Sequence, residues 1–211
     1  TAETVAQMVD HAKAINSERV VLVGPDIASD EKETVSAVFA AAAVAGVIAG
    51  NTDPSVPING AELTLFGAAG KRLSDNEIDQ LVRGGVTPIE TVGGVSSPVR
   101  GITTKTSSGG AADTTWRELT TILIVDEVIP TIRTSLRARF ARSKNTAQSR
   151  GAIRSQVVLE LEEMKSREIV DSYGEVLVSA LKSDPTVCLV EFGFTVAHGL
   201  NRIYLTAHIT V

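Results

Sequence analysis

Between Val125 and Met164 the sequence specifies two amphipathic helices in succession. Val125, Ile129, Ile132, Leu136 and Phe140 recur every three to four residues, and after the short break "SKN" the same spacing returns in Ile153, Val157, Leu161 and Met164. Two such stretches with only a short break between them fold back as an αα-hairpin, because each carries an apolar stripe that a lone helix would leave in water. Asn145 as N-cap with Gln148 three residues on opens the second helix. Pro130 either lies in the first turn of the first helix or kinks it, and "ELTTILIV", residues 118–125, reads as a strand leading into it.

The same hairpin gathers positive charge. Arg133, Arg137, Arg139, Arg142, Lys144, Arg150 and Arg154 lie in a stretch with no Asp or Glu between Glu127 and Glu160. The whole chain has 20 Lys and Arg against 25 Asp and Glu, so setting these seven apart from a net −5 leaves −12 on the remainder. A merely solvated helix face mixes signs, as "ELEEMKSR" does further along, whereas a one-signed stripe suits an acidic partner. Nucleic acid is one such partner and an acidic protein surface is the other. An acidic pI near 5.3 and only 4% aromatic residues for stacking weaken the first.

At 211 residues, with 43% hydrophobic and 21% charged residues, the chain supports one large domain or two smaller ones. Val5, Met8, Val9, Ala12 and Ile15 predict a first helix, and "RVVLVG" (19–24) a buried strand. A helix capped by Ser29 or Asp30, with Glu31 and Glu33 at its positive end, runs to Gly50-Asn51. Its uncharged run 34–50 is too short for a bilayer span of roughly 20 residues and reads as a buried, closely packed helix. Leu63 to Phe66 is a short strand candidate, and Ser74 with Glu77 forms a capping box for a helix to Arg83. "VTPIETVGG" and "VRGITTKT" predict two strands around "GGVSSP", and "SSGGAAD" (107–113) reads as a linker. "EVLVSALK", "TVCLVEFGFTV" and "NRIYLTAHITV" are strand-like. In the last of these Ile203, Leu205, Ala207, Ile209 and Val211 alternate with Tyr204, Thr206, His208 and Thr210. An open alternating strand invites pairing with another chain, unless it is central in its own sheet.

Enzyme signatures are absent. "VVLVGP" lacks both phosphate-loop glycine patterns, and neither a nucleophile elbow nor a zinc-protease helix occurs. His11, His198 and His208 are scattered without metal-ligand spacing. Cys188, alone in an apolar strand, excludes an internal disulfide and reads as a core residue. No signal peptide is visible, cytosolic synthesis is expected, and a helical pattern starting directly after Thr1 suggests a piece of a longer chain.

The segments "GGVTPIETVGG", "VRGITT", "TWRELTTILIVDEVIPTIRTSLRARF", "KNTAQSRGAIRSQVVLELEEMK" and "VEFGFTVAHGLNRIYLTAHITV" resemble the C-terminal half of contractile tail sheath proteins. The likeness is to those of Mu-like phages and of prophage or bacteriocin particles of Gram-positive bacteria, and is strongest after residue 84. It implies an α+β protein in two units: residues 1–106 as the C-terminal part of the sheath body domain, and 107–211 as the C-terminal sheath domain, its αα-hairpin packed on a mostly antiparallel sheet. It further implies a structural rather than catalytic subunit, without cofactor, metal, membrane or small-molecule substrate. Such subunits form six-membered rings, exchange strands, surround a tail tube, and contract to drive it through an envelope. The implied partners are other sheath subunits, the tube protein, and baseplate and tail terminator proteins, in a virion tail assembled in host cytoplasm. On this reading Arg133 to Arg154 contact the tube or a neighbour, and the segment carrying Ile203 to Val211 is the inter-subunit strand. The alternative is a nucleic-acid-associated module using the same basic hairpin, with a hydrolase-like fragment third.

Overall fold

A computed structural model describes residues 3–25, 37–63 and 72–201. Helix α1 (Val5–Ile15) starts at Thr4, whose hydroxyl accepts from the Gln7 amide while the Gln7 side chain accepts from the Thr4 amide. It ends at Asn16, which takes a left-handed conformation (φ 41°) and places its side chain against the backbone of Thr106 and Ser107. Strand β1 (Leu22–Gly24) then pairs in parallel with β2 (Val86–Val92), which pairs antiparallel with β3 (Val95–Pro98). Between them, α2 spans Ala37–Gly50 and α3 spans Asp75–Arg83, the latter opened by the Ser74–Glu77 capping box that the sequence predicts.

Several expectations are corrected here. The strand after β2 begins at Val95, inside "GGVSSP", because Gly93 and Gly94 both adopt positive φ (62° and 87°) and close a two-residue hairpin. Residues 107–113, read as an irregular linker, form a second hairpin, β4 (Ser107–Ser108) with β5 (Ala111–Ala112), turning at Gly109-Gly110. Helix α2 buries Ala40 and Val44, yet Val38 and Phe39 are 71% and 58% exposed, so among the described residues it is covered on one side only. Among the described residues, no helix is long and apolar enough to cross a membrane. The N-cap expected at Ser29 or Asp30, and all but Leu63 of the 63–66 strand, lie outside the described residues; Leu63 itself is buried but in no strand.

The next element is α4, from Leu119 to Phe140. "ELTTILIV" is therefore almost wholly helical: Thr121, Ile124, Val128 and Ile132 are buried at helical spacing, and that continuity overrides a β-rich composition. Pro130 sits inside the helix on its exposed side, where the lost amide hydrogen bond belongs to the Asp126 carbonyl. Helix α5 (Ala147–Ser166) takes Thr146 as N-cap, one residue beyond the Asn145 expected, and buries Val157, Leu161 and Met164 as the spacing implies. Strands β6 (Val170–Tyr173) and β9 (Phe194–Val196) pair antiparallel, as do β7 (Leu177–Leu181) and β8 (Asp184–Glu191).

The protein is α+β, with five helices among the described residues and mostly antiparallel pairs. It divides into two compact units, one drawn from the described residues of 1–52, 56–122 and 199–211, the other from 53–55 and 123–198. The first has a core of Met8, Ala12, Leu81, Val86 and Ile102. The second is built on Ile124, Val128, Val157, Leu161 and Ile169.

Candidate interaction surface

The αα-hairpin of the second unit carries all seven cations, but folding gives them three different settings. Arg150 turns back on the α4–α5 connection, donating to the Asn145 side chain at 3.0 Å. Asn145 in turn donates to the carbonyls of Pro185 and Val187, so the turn is fastened to the start of β8. Arg154 donates to the Val176 carbonyl at 2.9 Å and lies 3.8 Å from the Glu175 carboxylate. These two arginines brace the fold.

Arg139, Arg142 and Lys144 are exposed at the end of α4 and just beyond it, and no described carboxylate comes within ion-pair distance of them. The same holds for Arg133 and Arg137, whose surroundings are different. They stand at a groove of about 570 Å³ between α4 and β8, walled by Ile129, Leu136 and Phe140 on one side and Cys188, Val190 and Phe192 on the other. Alternation along β8 turns Cys188 and Val190 inward while Val187 and Leu189 stay exposed, and Leu177 and Leu181 of β7 are exposed as well. Among the described residues β7 and β8 pair only with each other, a short ribbon with unpaired edges and apolar residues on its outer surface.

Sequence reasoning finds the cations but not the groove. Ile129 and Phe140, expected to point inward with Ile132, are only partly buried and form its wall, because the buried stripe is rotated toward Ile124 and Val128. The available signal was the i, i+2, i+4 series Cys188, Val190 and Phe192 opposite a helical stripe wider than one neighbour covers. Cys188 is correspondingly half-buried rather than enclosed in a core. Ile203, Leu205, Ala207, Ile209 and Val211 lie outside the described residues, as does His208. Among the described residues no His, Cys, Asp and Glu cluster could hold a metal ion.

Among the described residues the helical hairpin thus carries positive charge without ion-pair partners beside a two-stranded ribbon. Residues 111–210 match the family model of the phage tail sheath C-terminal domain. The chain is similar to tail sheath proteins. Over 98% of its length it is 28% identical to the tail sheath protein of Bacillus phage SP01, of which it spans 36%. Its fold matches the sheath tail protein of Desulfitobacterium hafniense with a TM-score of 0.69 and 14% identity, covering 87% of this chain and 47% of that one. It also matches the sheath of an extracellular contractile injection system in its contracted state, with a TM-score of 0.71 and 15% identity over 100% of this chain and 62% of that one. The chain thus spans about a third of the curated relative and about half of these structures.

Proposed function

We propose that this chain is the C-terminal portion of a contractile tail sheath subunit, residues 1–106 belonging to the body domain and 107–211 forming the C-terminal sheath domain. The role is mechanical: subunits stack in six-membered rings around a tail tube, and the lattice shortens to drive the tube through a target envelope. It works in the virion tail after assembly in the host cytoplasm, with other sheath subunits, the tube, baseplate and tail terminator proteins as partners. The observation that carries this reading is the group Arg133, Arg137, Arg139, Arg142 and Lys144, without ion-pair partners among the described residues, in a chain similar to sheath proteins along its length.

Arg139, Arg142 and Lys144 suit an acidic tube or neighbour. Exposed pairs of this kind are worth about 0–1 kcal/mol each and weaken with salt, which fits a surface that must release during contraction. The segment with Ile203, Leu205, Ala207, Ile209 and Val211 is assigned to strand exchange, its alternation matching what an unpaired sheet edge accepts.

Electron microscopy of the full-length protein, expressed with and without its tube protein, tests the reading. Tubular polymers are expected, and deletion of residues 203–211 should abolish them. A full-length protein that stays monomeric and shifts DNA or RNA at physiological salt would instead assign the basic hairpin to nucleic acid.

A further inference from the structure

Asn59 is the only asparagine of the sequence that precedes a glycine. That pairing is the most reactive setting for an asparagine side chain, because glycine has no Cβ to keep its amide nitrogen away from the neighbouring Cγ. Here the pair occupies the middle of a turn in the first unit. The Ala61 amide donates to the Ile58 carbonyl at 3.1 Å, and Gly60 takes φ 70° with nothing within 4 Å of where a Cβ would stand. Ile58 is buried, whereas Asn59 is half-buried and Gly60 exposed, so the turn is fixed on one side and open to water on the other.

Three hydrogen bonds bear on the atoms that would react. The Gly60 amide donates to the Pro98 carbonyl at 2.8 Å. Asn59 Oδ1 accepts from the Gly101 amide at 3.3 Å, and Asn59 Nδ2 donates to Asn201 Oδ1 at 2.8 Å. The first two partners belong to the adjoining stretch 98–101. Asn201 instead stands 142 positions further along the sequence, where the chain comes back to this turn. Gly199 seats that returning stretch, since a Cβ there would stand 2.9 Å from the Pro57 ring.

We propose that Asn59-Gly60 is a deamidation site that the returning residues 199–201 hold closed. Water is the only co-reactant. The Gly60 nitrogen attacks Asn59 Cγ; a new C–N bond forms, the side-chain nitrogen leaves as ammonia with the proton that the Gly60 nitrogen gives up, and water opens the resulting succinimide to aspartate or isoaspartate. In the closed turn the Gly60 hydrogen is held by Pro98 and the Asn59 amide by Gly101 and Asn201, so reaction requires local opening. Either product replaces the Nδ2 donor with an acid, and isoaspartate also lengthens the turn backbone by a methylene, which moves Gly60 off the Pro98 carbonyl. A chain whose residues 199–201 leave the turn therefore acquires a permanent negative charge at position 59.

The full-length protein would be incubated at mildly alkaline pH and the Asn59 peptide followed by mass spectrometry, which reads the exchange of an amide for an acid. Folded wild type should convert at least about tenfold more slowly than the same protein unfolded in guanidinium chloride, and Asn201→Ala and Gly199→Ala should each convert at least about threefold faster than folded wild type. Asn16, whose side chain is held by the backbone of Thr106 and Ser107 and which precedes Ser17, is the internal control and should keep its wild-type rate in both variants. Acceleration at Asn16 in step with Asn59 would reveal general loosening and overturn the gate, as would wild-type rates at Asn59 in both variants. Folded wild type converting as fast as unfolded protein would refute the closed turn, and no conversion in guanidinium chloride would refute the site itself.

Discussion

Gly85 shows how a single residue can set the path of the chain between two elements. It joins α3 to β2 at φ 86°, and a Cβ there would stand 2.8 Å from Thr106 Cγ2 and 3.2 Å from the Thr104 backbone. Gly85→Ala should therefore destabilise the protein by about 1–3 kcal/mol through backbone strain and contact together, read from the urea midpoint. Tyr173 is a second residue-scale case. Its hydroxyl donates to the Glu162 carboxylate, and that hydrogen bond, before slight burial and the nearby charge, raises its pKa above 10.0. A raised folded-state value stabilises at pH below the ordinary tyrosine range and is lost as pH climbs through the folded value. Wild type should thus lose slightly more stability than Tyr173→Phe between about pH 9 and 11, measured by thermal unfolding.

At the scale of elements, legibility followed locality. The capping box at Ser74 appears where Ser74 and Glu77, a turn apart, place it, since a cap needs only its own first turn. The state of residues 118–125 does not follow from composition: isoleucine, threonine and valine favour a strand, but burial of Thr121, Ile124 and Val128 on one side keeps α4 helical. Helix α5 was legible because its stripe is regular, and Leu161, fully buried between α4 and the strands, anchors it. Leu161→Ala should cost about 2–5 kcal/mol and lower the melting temperature clearly, whereas Leu159→Ala on the exposed face should leave it nearly unchanged. The hairpin also carries a buried polar link, Gln156 donating to Ser135 at 3.0 Å and to Glu160 at 2.7 Å. No sequence pattern announces it, since the partners sit on two helices.

For the whole molecule, the proposed sheath role turns on the charge asymmetry. Reversing Arg139, Arg142 and Lys144 to Glu in the full-length chain should leave the fold intact, shorten or abolish sheath assembly on the tube, and flatten its salt dependence. Sedimentation of sheath with tube over a range of salt concentrations measures this, and unchanged yield would clear these three residues of the role. The sequence by itself determined the helical hairpin, the capped start of α3, and the segregation of seven cations, because each is written in neighbouring residues. Only tertiary structure decided which cations remain available, since Arg150 and Arg154 are occupied by Asn145 and by Val176 with Glu175. It alone opened the groove, which depends on how α4 is rotated over β8, a relation between residues some fifty positions apart such as Leu136 and Cys188. Periodicity fixes that a stripe exists, whereas the width left uncovered is fixed by what packs against it.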